Sequence, residues 1–151
     1  MTQLGKAFTV KKTFSRTTTI NQNIQADPAT IWKLLTNAAG FSKWNSTVIS
    51  IEGAIQAGEK IKLKSTLDPT RVFKLKVKEF LPNQQLSWGD AMGTRNYLLK
   101  STGDSTHFTM TEKIGGPIFP LFANKIPSFN ESFEQFTADL KKEAESKSPT
   151  K

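Results

Sequence analysis

Hydrophobic and polar positions alternate with a period of two over most of this chain, and with a period near 3.6 in two places. Residues 14–25, FSRTTTINQNIQ, are rich in Phe, Ile and Thr and read as a strand. Asp27 then precedes Pro28, a helix start in which Asp caps the first turn and Pro needs no hydrogen bond there. The helix PATIWKLLTN turns Ile31, Leu34 and Leu35 to one side, with Trp32 beside them, and Asn37 and Gly40 end it. GFSKW forms a turn or a second short helix. Strand-like runs follow at roughly 46–55, 59–67, 71–81, 85–92, 95–101 and 105–115. They are separated by Ala57-Gly58, Asp68-Pro69, Pro82-Asn83, Gly93-Thr94 and Gly103-Asp104-Ser105. Such short breaks make hairpins, so the sheet is expected to be antiparallel.

The alternation is clearest in the middle. Ile61, Leu63, Ser65 and Leu67 share one face, and Lys60, Lys62 and Lys64 the other. Phe73, Leu75 and Val77 oppose Lys74, Lys76 and Lys78 in the same way, the mark of a sheet with one dry and one wet face. After Gly115-Gly116 the period changes. Phe119, Phe122, Ile126, Phe129, Phe133, Phe136 and Leu140 recur in steps of three and four, one stripe of a helix expected over 117–145. Pro127 falls inside that stripe and must kink or interrupt it. A helix with one apolar stripe and a sheet with one apolar face each need the other. The expected fold is therefore α+β. A seven-stranded curved antiparallel sheet wraps a long C-terminal helix, with two short helices after the first strand.

Composition fits that picture. The chain has 151 residues, enough for one domain whose core buries about 70% of its extended surface. The core is expected over about 14–145, with the polar residues 1–12 and 146–151 frayed. No apolar run reaches the roughly 18 residues that span a bilayer, and the N-terminus lacks a signal-peptide core. With no cysteine and one histidine, thiol chemistry and multi-histidine metal sites are excluded, and no metal or cofactor is expected. A cytoplasmic location fits these features. The formal charge is +8. By parity the lysines of 60–78 lie on the wet face with no aromatic residue among them, which argues against nucleic acid but leaves room for peripheral contact with an anionic membrane. Gly115-Gly116 is a strand-to-helix turn, because no phosphate-loop motif surrounds it. Nothing in the sequence sets the oligomeric state.

Five segments carry a family resemblance. ADPATIWKLLTN at 26–37, FSKWNSTV at 41–48, IEGAIQAGEKIKL at 51–63, FLPNQQLSWGD at 80–90 and GDSTHFTMTEKIGG at 103–116 follow one another in order. Together they resemble the START-like, or SRPBCC, helix-grip superfamily, and within it the polyketide cyclase/dehydrase and lipid-transport branch, over about residues 14–142. Ser46 stands where that branch usually has proline, and Arg95 where it often has histidine. The resemblance implies a mostly apolar ligand cavity between sheet and helix.

Strand parity proposes what lines it. Trp88, Tyr97 and Phe108 face inward from consecutive strands, with Met110 following Phe108, and are expected to form a lateral row under the helix. The same parity brings in Asp90, Arg95 and Glu112, with Arg95 as the main polar anchor. From the helix, Phe122 and Phe129 border the gap that Pro127 opens, and Phe133 is expected in the cavity lining with them. Trp44 is expected to plug one end, and His107, of opposite parity to Phe108, to face solvent. The leading expectation is a binder or carrier of a small hydrophobic ligand, lipid-like or polyketide-like. The alternatives are a cyclase or dehydratase using Glu112 or Asp90 with Arg95, and an interaction module like the chaperone activators of the superfamily.

Overall fold

The computed structural model describes residues 3–147. In chain order the elements are β1 (Phe8–Lys11), β2 (Ser15–Ile24), α1 (Pro28–Thr36), α2 (Phe41–Trp44), β3 (Val48–Glu52), β4 (Lys60–Ser65), β5 (Asp68–Leu81), β6 (Gln85–Gly89), β7 (Gly93–Ser101) and β8 (Thr106–Gly115). The short helix α3 (Phe119–Phe122), a 3-10 turn (Ala123–Lys125) and α4 (Asn130–Lys147) follow. All strands join one antiparallel sheet in the order β1-β2-β8-β7-β6-β5-β4-β3. This is the expected α+β architecture, a sheet gripping a C-terminal helix.

The sheet has eight strands rather than seven. Phe8–Lys11, expected to fray, pairs with β2 as an edge strand. The contacts that hold it are long-range. The Ala7 amide donates to Glu134 Oε2 at 3.0 Å, and the Thr9 hydroxyl donates to Asn130 Oδ1 at 2.7 Å, both on α4. Such contacts leave no local pattern. The break expected at Asp68-Pro69 falls two residues earlier, at Thr66-Leu67, and Pro69 lies inside β5. It is tolerated there because the ladder slips between Leu63 and Ser65, the sort of irregular strand start that accepts a proline.

The largest departure concerns the C-terminal helix. The stripe over 117–145 is split into α3, the 3-10 turn and the 18-residue α4, which is about 27 Å long. Pro127 is the cause. Ile126 before it is extended (φ −92°, ψ 122°), as a residue preceding proline prefers. Arg16 then holds the break open. Its Nη1 donates to the Ile126 carbonyl at 3.1 Å and its Nη2 to the Pro127 carbonyl at 2.7 Å, while the guanidinium lies 4.7 Å from the Phe129 ring centroid. The turn out of β8 depends on Gly116, whose φ of 139° disfavours a side chain, and on Gly115, where a Cβ would come within 2.6 Å of the Phe14 carbonyl oxygen.

At the other end, α1 begins as expected. Asp27 Oδ1 accepts from the Thr30 amide at 2.8 Å, and Pro28 opens the helix. The core runs from α1 and α2 under α4. The inward row forms, with Trp88 to Tyr97 at 5.2 Å and Tyr97 to Phe108 at 6.2 Å between ring centroids. Phe136 of α4 stacks on Tyr97 at 5.8 Å. The lysines of β4 and β5 face outward, with Lys60 opposite Lys76 and Lys62 opposite Lys74.

Candidate functional site

Where α4 lies directly on the sheet, rings fill the space between them. Beyond its N-terminus the helical layer is broken, and a cavity of about 640 Å³ opens there. Leu63, Leu67, Phe73 and Leu75 of the β4–β5 region wall one side, and Trp88 and Ile114 form part of the floor. Phe122, Ile126 and Phe129 close it from the broken segment. These walls are mostly apolar, as ligand cavities are.

Arg95 and Glu112 are an ion pair on its wall, where Asp68, Arg71, Asp90 and Lys125 also stand. The paired residues are directly opposed on β7 and β8, and Arg95 Nε donates to Glu112 Oε1 at 2.7 Å. The guanidinium carbon sits 5.0 Å from the Phe133 ring centroid and 5.8 Å from that of Phe136, so the end of α4 covers one side of it. Among the described residues its bond to Glu112 is the one well-formed hydrogen bond of the guanidinium, with the Tyr97 hydroxyl a close neighbour. Burial disfavours the charge on Arg95, but Glu112 and the neighbouring Tyr97 hydroxyl more than offset that, and the net effect raises its pKa. Arg95 thus presents a permanent positive charge with unspent donors to an apolar space.

Five of the expected residues lie on the cavity wall: Trp88, Arg95, Glu112, Phe122 and Phe129. Tyr97, Phe108, Met110 and Phe133 do not. All four are fully buried between the sheet and α4, where ring-on-ring packing leaves no gap. Asp90 reaches the rim, but its Oδ1 accepts from the Met92 and Gly93 amides at 2.8 and 3.0 Å and so closes the β6–β7 turn. Trp44 is no plug. It packs on Phe41 and Phe136 in the core, at 4.8 and 6.1 Å. His107 is on the outer face, where its ring nitrogens meet the side-chain oxygens of Asn23 and Asn21 at 2.9 and 3.2 Å.

Two features escaped the sequence reading. Arg16 is buried, because the parity that turns Ile20 and Ile24 inward also turns Arg16 inward. Asn45 is buried too. Its Nδ2 donates to the Phe136 carbonyl at 3.2 Å, and its Oδ1 accepts from the Thr47 amide and hydroxyl at 3.1 and 2.7 Å.

The Tyr97 hydroxyl is fully buried beside Arg95 and makes no well-formed hydrogen bond. Burial pushes its pKa up to about 12, Arg95 working against this and Glu112 with it. An unsatisfied buried hydroxyl costs about 1–3 kcal/mol. Tyr97→Phe should therefore leave stability unchanged or raise it by about 1 kcal/mol in urea unfolding. A clear loss would mean that the hydroxyl has a partner.

No protein-family profile matches this chain, and no curated protein matches it in sequence. Solved structures do share its fold. A conserved protein of unknown function from Enterococcus faecalis superposes with a TM-score of 0.70 at 16% identity, over 96% of this chain and 80% of that one. A START superfamily protein from Mycobacterium smegmatis gives 0.64 at 16% identity, over 86% and 97%. A protein of the dynemicin biosynthetic locus gives 0.66 at 13% identity, over 87% and 48%. The chain has the START-like, helix-grip fold. At these identities the likeness extends to the fold alone. Among the described residues no helix is long and apolar enough to cross a membrane.

Proposed function

We propose that this protein binds and carries a small hydrophobic molecule bearing an acidic or carbonyl oxygen. The observation that carries the reading is the apolar cavity with the unspent Arg95 donors inside it. The hydrocarbon part of a lipid-like or polyketide-like ligand would lie against Leu63, Phe73, Leu75 and Phe122. Its oxygen would accept from Arg95, a stronger contact than a neutral hydrogen bond because the donor is charged. Glu112 keeps the guanidinium aimed, since the Nε bond leaves the two Nη groups directed elsewhere. Trp88, Arg95, Glu112, Phe122 and Phe129 are the binding residues of this proposal. Tyr97, Phe108, Met110 and Phe133 support them from behind. A cytoplasmic place of action belongs to the same proposal and rests on the lack of cysteine.

One observation favours a second reading. Glu112 and Arg95 face the same cavity, the arrangement a cyclase or dehydratase would use for proton transfer beside an enolate clamp. Glu112 already commits one oxygen to Arg95, so carriage is the stronger reading.

Native mass spectrometry of the gently purified protein tests the proposal. A bound hydrophobic small molecule is the expected result, with dodecanoate quenching tryptophan fluorescence through Trp88. Conversion of an added polyketide-like substrate would favour the enzyme. A bare chain that dodecanoate does not perturb would overturn the binding reading and leave an interaction module.

A further inference from the structure

The cavity opens at one end of the sheet, and the same end carries exposed apolar side chains. Leu121 of α3 is 81% exposed, Ile118 just before it 56%, and Phe14 in the β1–β2 turn 57%. The three belong together. The Gly116 amide donates to the Phe14 carbonyl at 3.0 Å, and the Leu121 amide to the Ile118 carbonyl at 3.0 Å. Phe122, on the same short helix, lines the cavity. Folding leaves these side chains unused, although the core a few residues away is densely packed.

The charge around them has one sign. Residues 9–17 and 113–130, which build this end, contain no Asp or Glu. They carry Lys11, Lys12, Arg16, Lys113 and Lys125. Lys11 and Lys12 flank Phe14 at the hairpin, and Lys125 lies on the cavity rim. Three carboxylates line the cavity, and Glu131 stands in the first turn of α4. Asp90 is occupied by the amides of its turn, Glu112 by Arg95, and Asp68 stands on the rim near Arg71.

We propose that this end docks on an anionic membrane surface, with Leu121, Ile118 and Phe14 inserted between lipid headgroups and the lysines on their phosphates. Three arguments favour a bilayer over another partner. The apolar groups project from a hairpin turn and a four-residue helix rather than forming a flat face, so they suit a soft surface that admits single side chains. Their basic setting complements lipid phosphate. A second copy related by a two-fold axis would bring lysine against lysine. The docked end is also the cavity mouth, so a hydrophobic molecule could pass between bilayer and cavity without crossing water.

The test uses the full chain and needs no ligand, so its failure is separate from any failure of the cavity reading. Co-sedimentation is measured with phosphatidylcholine vesicles, with and without phosphatidylglycerol. Binding is expected to the anionic vesicles, weakened as salt rises. Leu121→Ser should reduce it roughly tenfold or more, the effect of withdrawing one leucine from an apolar setting. Its melting temperature should not move, because Leu121 supports nothing in the fold. Lys62→Ser, on the outer face, should leave vesicle binding unchanged. The proposal is overturned if anionic vesicles do not pellet the protein. It is equally overturned if the lysine variant loses binding while the leucine variant keeps it. A dimer that Leu121→Ser dissolves, without vesicle binding, would assign this end to self-association instead.

Discussion

Arg95→Met should weaken binding of dodecanoate by roughly ten- to a hundredfold while changing dodecanol much less. A hydrogen bond to a charged group contributes about 1.5–3 kcal/mol, and only the carboxylate engages that charge fully. Methionine keeps an apolar stem against Phe133 and removes the donors, which separates charge from packing. It also leaves Glu112 without its partner at 2.7 Å, and that carboxylate would then repel the ligand. The double variant Arg95→Met/Glu112→Gln removes the repulsion and should recover part of the loss. Lys62→Ala, on the outer face of β4, should change neither affinity. Trp88 on the cavity wall reports the titrations by fluorescence. An unchanged dodecanoate affinity in Arg95→Met, beside a change in Lys62→Ala, would move the site to the outer face.

Phe136→Ala should be among the most destabilising single changes in the chain. The side chain is 1% exposed and packs against Phe41 and Tyr97, each at 5.8 Å, and Trp44 at 6.1 Å. Those rings come from α2 and the sheet, so they cannot all collapse into the space left behind. Replacing a buried Phe by Ala costs about 3–5 kcal/mol, much of the stability of a domain this size. Urea unfolding should show that loss, and Leu121→Ser should stay within about 0.5 kcal/mol of the parent. A Phe136→Ala loss below about 1 kcal/mol would mean that α4 is not seated on Tyr97.

The two residues also show where sequence reading succeeds and where it stops. Phe136 is legible because its stripe follows helical periodicity, and period alone turns it toward the sheet. Arg95 is legible because it sits two residues before Tyr97 on one strand, with Glu112 two residues after Met110 on the next. Parity carries no information about what covers a face. Trp88 and Tyr97 share the inward row, yet Trp88 borders the cavity and Tyr97 is sealed under Phe136. Arg16 obeys the same parity as Ile20, and its role still depends on carbonyls 110 and 111 residues away in sequence.

The sequence by itself determined the antiparallel hairpins from β3 to β8, the capped start of α1, the wet lysine face of β4 and β5, and the dry stripe of the C-terminal segment. Each follows from local dihedral preference and side-chain period, which act within a few residues. Only the tertiary structure decided that β1 joins the sheet and that Pro127 breaks the helix rather than bending it. It also decided that the cavity lies over Leu63, Phe73 and Trp88 instead of under the middle of α4. Those outcomes depend on contacts between segments far apart in the chain. The Arg16 grip on the Ile126 and Pro127 carbonyls and the Thr9 bond to Asn130 exist only after the sheet has closed around the helix.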